Sequence, residues 1–196
     1  SPPHTPRSPQ LDLLPMPPPM TQKNLPIKKR TRARELCLQY LYQVDLLGES
    51  ILDEVDDFLR EEETDRDTRS YAREMIVDTT KQRAEIDTEI KNVAQNWEIH
   101  RMAVIDRNVL RLATYELLFR DDIPPKVAIN EAIELGKRFS TSNSGSFING
   151  ILDKIKNKRH GSQAAAVAPE ESPSTETVAT ETPSTDTPSI GESPEA

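Results

Sequence analysis

Residues 27–123 contain no proline, and only Pro124 and Pro125 interrupt the stretch from there to Pro169. Nine of the 16 prolines lie at or before Pro26 and five at or after Pro169. Proline fixes φ, lacks an N–H donor and breaks helix interiors, so a long proline-free stretch is where a chain can build long helices. The hydrophobic spacing inside it is helical. Cys37, Tyr40, Leu41, Val44 and Leu47 form one stripe, which Gly48 ends. Ser50 can cap a second helix with Ile51, Leu52, Val55, Phe58 and Leu59 on its apolar side. Asp65 or Thr68 opens a longer region with Tyr71, Met75, Ile76, Ile86, Ile90 and Val93, which the polar stretch 79–83 divides. Ile105, Val109, Leu112, Ala113 and Leu117 give the clearest amphipathic pattern, stopping before the two prolines. Ile129, Ala132, Ile133 and Leu135 follow, with Glu134 and Arg138 spaced to pair along the helix. Beyond a turn at residues 142–145, Phe147, Ile148, Ile151, Leu152 and Ile155 make the last stripe. The expectation is an all-α helical bundle of about seven helices with short loops.

Charge is segregated along the same boundaries. Residues 1–34 carry seven Lys/Arg and one Asp, whereas residues 161–196 carry seven Asp/Glu and no Lys/Arg. The formal net charge of −8 therefore does not argue against nucleic acid, because phosphate responds to a local basic patch. The expected organisation is a disordered Pro-rich tail over 1–27, a helical domain over 28–159, and a disordered acidic Ser/Thr/Pro-rich tail over 160–196. The chain begins with Ser1, and Met20, just upstream of the basic run, is a candidate initiator. One cysteine excludes an intramolecular disulfide, and no run reaches the roughly 18 apolar residues of a membrane span, so the reading is soluble and cytoplasmic.

No enzyme site emerges. His4, His100 and His160 are scattered, and with six glycines the chain has no glycine-rich phosphate loop. Asp56-Asp57 and Glu61-Glu62-Glu63 read as solvated charge runs, and Cys37 sits on an apolar stripe as a structural thiol. No cofactor or metal is expected. The run Lys28-Lys29-Arg30-Thr31-Arg32-Ala33-Arg34 is different. Cations at a helix N-terminus oppose the macrodipole, so the arrangement makes sense where an anion is expected. A solubilising polybasic end and a nuclear-targeting segment are the alternatives.

At this point the sequence resembles the NusB family of bacterial transcription antitermination factors, over about residues 28–157. The resemblance is carried by Arg32-Ala33-Arg34-Glu35 followed by Leu41-Tyr42, then by Val109-Leu110-Arg111-Leu112-Ala113-Thr114-Tyr115-Glu116-Leu117. VAINEAIELGK over 127–137 and FINGILDK over 147–154 complete it. The resemblance implies two packed helical subdomains and an RNA-binding adaptor, not an enzyme. Its partners would be the ribosomal protein NusE, the boxA element of single-stranded ribosomal RNA leaders, and the elongating RNA polymerase.

By the same resemblance, RNA contacts fall on Lys29, Arg30, Arg32 and Arg34, and on Asn143, Ser144, Ser146 and Phe147 in the loop entering the last helix. Phe147 is a candidate for base stacking and equally fits the core. Tyr42, Asp106, Arg111 and Glu116 match positions used towards NusE, although Tyr42 also fits a core and Arg111 with Glu116 an internal pair. Thr31 departs from a denser arginine cluster, and the 142–145 turn lacks an acid. Five cations on phosphate imply a slope of log affinity against log salt of roughly −3.5 for a single strand. The alternatives are a protein-only or homodimeric module, or a fragment of a ribosomal RNA methyltransferase, to which such domains are also fused.

Overall fold

The computed structural model describes residues 25–95 and 97–166, with side chains described to residue 159. The prolines and acids of the two tails lie mostly outside these residues. Among the described residues the chain forms seven α-helices and no strand. They are α1 (Ile27–Leu47), α2 (Val55–Glu62), α3 (Arg66–Lys81), α4 (Arg83–Val93), α5 (Val104–Phe119), α6 (Pro125–Phe139) and α7 (Ser144–Ala166). 3-10 segments at Glu49–Glu54 and Ile99–Arg101 link α1 to α2 and α4 to α5.

The helix ends have local causes. Gly48, at φ +96°, takes a backbone shape that L side chains rarely adopt, and its N–H donates to Val44 O. Pro124 precedes α6 and Pro125 occupies its first turn, where a missing N–H costs nothing. Asp65 caps α3 by accepting from the Thr68 N–H at 2.8 Å. Helix α1 begins at Ile27, just after the buried Leu25. Two boundaries differ from the sequence reading. The second α-helix begins at Val55, after a 3-10 segment, and is not capped by Ser50. Helix α7 runs on to Ala166, beyond the expected domain edge at 159.

Helices α1–α3 form one subdomain and α4–α7 the other, joined mainly through α5. Helix α5 packs against α1, α3, α4, α6 and α7, so it is the central helix and not an amphipathic surface helix. Every residue from Asn108 to Leu117 is buried, including Asn108, Arg111, Thr114 and Glu116. Asn108, Arg111 and Glu116 find charged partners on neighbouring helices, whereas the buried Thr114 hydroxyl has none. Arg111 pairs with Asp87 of α4 at 2.7 Å and with Asp45 of α1 at 3.1 Å. Asp45 also takes Arg107 at 2.5 Å and the Asn108 amide at 3.0 Å. Burial works against its charge, and these donors outweigh it, holding its carboxyl below the usual range.

A candidate RNA and partner surface

The basic run begins inside α1. No acid lies in the first turn of α1, and Pro26 provides no side-chain cap. Compensation comes from the neighbouring helix, because the N-termini of α1 and α3 lie side by side. Lys29 Nζ donates to Asp65, the cap of α3, at 2.6 Å. Arg32 reaches Glu63 and Glu35, both at 3.3 Å, and donates to Glu62 O at 3.1 Å. Arg30 Nε donates to Leu25 O at 3.0 Å. The acidic run at 61–63 is therefore not merely solvated: Glu63 meets the basic segment directly. These contacts are half-exposed, and solvent screens ion pairs of this kind.

Arg34 lies elsewhere. Its side chain is buried, with Nε donating to Glu116 Oε1 at 2.7 Å and Nη1 3.6 Å from Glu131. Burial opposes the charge of Arg34, but Glu116 outweighs it and raises the pKa. Burial pushes the Glu116 carboxyl up, and Arg34 offsets part of that shift. The expectations of Arg34 at a phosphate and Glu116 at a protein partner are thus corrected: each is the other's partner inside the bundle. Arg111 is likewise internal, held by Asp87 and Asp45, not by Glu116.

At the far edge of the surface, Asn143 and Ser146 are exposed, with Ser146 Oγ donating to Asn143 O at 3.0 Å. Ser144 is buried, corrected from a surface contact to a structural one. Its hydroxyl donates to Asp106 Oδ2 at 3.1 Å and accepts from the Thr141 N–H at 3.2 Å, fixing the entry to α7. Asp106 is nearly buried at the floor of the cleft beneath this loop. Phe147 is half-buried: it packs on the core and meets the Trp97 ring edge-on at 5.5 Å. The core reading of Phe147 thus describes part of its ring, and the remainder is exposed.

Each edge borders a cleft. A groove of about 480 Å³ runs between α1 and the end of α6, lined by Arg32, Gln39, Tyr42, Ile105, Arg138 and Phe139. A second cleft of about 480 Å³ begins one residue further on, at Asp106, and runs to Asn143, Ser146, Phe147 and Trp97. Tyr42 is 38% exposed in the first groove, so it is not core. Sequence reasoning missed two members. Arg138 pairs with Glu35 of α1 and not with Glu134, which takes Lys137. Trp97, 56% exposed, was not singled out at all. No cluster of metal-ligating side chains occurs among the described residues. No helix there is long and apolar enough to cross a membrane.

Comparison with known proteins agrees with this architecture. The NusB family model matches residues 31–157, well over half of the chain. Transcription antitermination protein NusB of Anaeromyxobacter sp. (strain Fw109-5) is 48% identical over 143 residues, covering 72% of this chain and 94% of that protein. Among solved structures, T. maritima NusB aligns with a TM-score of 0.61 at 42% identity, covering 66% of this chain and 91% of that one. A crystal structure of antitermination factors NusB and NusE in complex with dsRNA aligns with a TM-score of 0.62 at 27% identity, covering 68% and 99%.

Proposed function

The chain belongs to the NusB family of transcription antitermination proteins, which are not enzymes, and we propose that it grips the boxA element of ribosomal RNA leaders jointly with NusE. The observation that carries this reading is the pair of clefts whose linings adjoin in sequence at Ile105 and Asp106, Arg32 and Tyr42 lining one and Asn143, Ser146 and Phe147 the other. Cations at one end meet phosphate, polar and aromatic groups at the other meet bases, and the groove between them takes the protein partner. A similar solved complex contains NusB, NusE and dsRNA, which supports NusE and RNA as the two partners.

The mechanism involves no bond making. Lys28, Lys29, Arg30 and Arg32 provide a salt-sensitive phosphate grip that is weak alone. NusE, seated beside it, adds a second contact to the same RNA, and linking two weak contacts raises affinity without new chemistry. The assembly then acts on the elongating RNA polymerase in the cytoplasm. With Arg34 internal, four surface cations remain in the run, and the expected salt slope falls to about −3 for a single strand.

Light scattering of the purified chain with and without NusE, followed by titration with a boxA-bearing oligoribonucleotide, tests this reading. One-to-one assembly with NusE and tighter RNA binding by the pair is the expected result. A homodimer that neither takes up NusE nor binds RNA would replace it with a self-associating module.

A further inference from the structure

We propose that Trp97 is a base-stacking platform that extends the RNA track past Phe147, over the α4–α5 connection, towards Lys154. This inference rests on the RNA-binding reading above and names residues which that reading did not use. Trp97 is the most exposed aromatic side chain among the described residues, at 56%. Its backbone N–H donates to Ala94 O at 2.8 Å, and the Phe147 ring meets the indole in a T-shaped contact at 5.5 Å. At an interplanar angle of 67° Phe147 lies against the indole without stacking parallel on it.

The pair forms a ridge with a hollow on each side. Towards α5 lies the cleft of about 480 Å³ described above. Towards the end of α4 lies a second hollow of about 310 Å³, and both share Trp97, Ser146 and Phe147. Each falls within the roughly 300–1,000 Å³ of clefts that hold small ligands. The lining of the second hollow includes Gln95, Gly150 and the exposed Lys154 but no carboxylate. Lys154 makes no ion pair among the described residues. A single-stranded nucleic acid is recognised by this combination of an aromatic face, amide and hydroxyl groups for base edges, and a cation for phosphate. A duplex does not fit it, because paired bases keep their faces inside the stack.

Trp97 is the sole tryptophan of the chain, so its emission reports on this site directly. The experiment titrates the full chain, with NusE present, with a fluorescein-labelled single-stranded boxA oligoribonucleotide. Anisotropy and tryptophan emission are followed for the wild type, Trp97→Phe and Trp97→Ala, with NusE variants lacking tryptophan where needed. Saturable quenching of Trp97 is expected, in step with anisotropy. Trp97→Ala should weaken binding about fivefold or more, as loss of one base–aromatic stack implies. Trp97→Phe should retain most of the affinity, and the salt slope should not change in either variant. The same sequence as a duplex should leave Trp97 emission unchanged.

RNA binding with unaltered Trp97 emission and an unaffected Trp97→Ala variant would overturn the stacking site and leave the proposed function standing. A change of Trp97 emission on adding NusE alone, with none on adding RNA, would make the ridge a protein contact and overturn it equally. No RNA binding at all would remove the function and the site together. If Trp97→Ala loses its helical circular dichroism, the wild-type quenching and Trp97→Phe decide the matter.

Discussion

Arg34 on α1 donates to Glu116 on α5 at 2.7 Å, and both side chains are almost wholly buried, at 3% and 1% exposure. The contact spans 82 positions of sequence and joins the two subdomains at their centre. Two residues that each look like a ligand contact in the sequence are therefore a strut.

Removing one member of such a pair leaves the other charge buried without compensation, which typically costs 3–5 kcal/mol. Arg34→Ala should lower the unfolding free energy by about that amount, measured by urea denaturation. Replacing both with apolar residues of similar volume, as in Arg34→Met with Glu116→Leu, should recover most of the loss. The double variant should keep the wild-type salt slope of RNA binding. A slope reduced by Arg34 removal in a fully folded protein would restore it as a phosphate contact.

Lys29 and Arg32 make their present contacts with Asp65 and Glu63, so RNA and these acids compete for the same cations. Lys29→Ala and Arg32→Ala should each reduce the magnitude of the salt slope by about 0.7 on a single strand. Glu63→Gln should do the opposite to affinity. Freed from one half-exposed ion pair, Arg32 should bind RNA up to about fivefold more tightly at low salt, in filter-binding titrations.

Asp65 is linked to pH. Its hydrogen bond from Lys29, with those from Thr68, pulls its carboxyl down to about 2 from 3.8. A folded-state value below the unfolded one means that this contribution is present above pH 3.8 and is lost as pH falls towards 2. Asp65→Ala should cost about 0.5–2 kcal/mol at neutral pH through loss of the α3 cap. The gap between variant and wild-type midpoints should narrow as thermal melts are repeated from pH 4 downwards.

Cys37 is fully buried on α1, its thiol donating to Ala72 O at 3.3 Å. Burial pushes its pKa well above the ordinary thiol range, and the Glu116 charge adds to that. A thiol-specific chromogenic reagent should react with the native protein only as fast as the protein opens, and immediately in denaturant.

Much of the helical order is readable from the sequence, because proline placement, Gly48 and the apolar spacing act locally. The stop at Pro124-Pro125 and the division between α3 and α4 both follow from short-range chemistry. Helix α5 is less readable. Its Asn108, Arg111 and Glu116 look like a solvent face, yet their partners Asp45, Asp87 and Arg34 come from distant helices and turn that face inward. The surface is partly readable for the same reason. Tyr42, Asn143 and Ser146 are exposed and Arg32 is half-exposed, as a local reading has them. Arg34 and Ser144 are not, because a charge or hydroxyl in the sequence carries no mark of the buried carboxylate that will receive it. Trp97 stands in a polar stretch without helical periodicity, and only folding brings it against Phe147.

The central claim is that surface cations of α1, and not Arg34, act with NusE on one RNA. Binding of a boxA oligoribonucleotide to the wild type and to a Lys29→Ala, Arg32→Ala double variant, each with and without NusE, tests it most directly. The account predicts that NusE tightens RNA binding by the wild type, that the double variant binds more weakly in both settings, and that it still takes up NusE normally. Equal RNA affinity of wild type and double variant in the presence of NusE would contradict it.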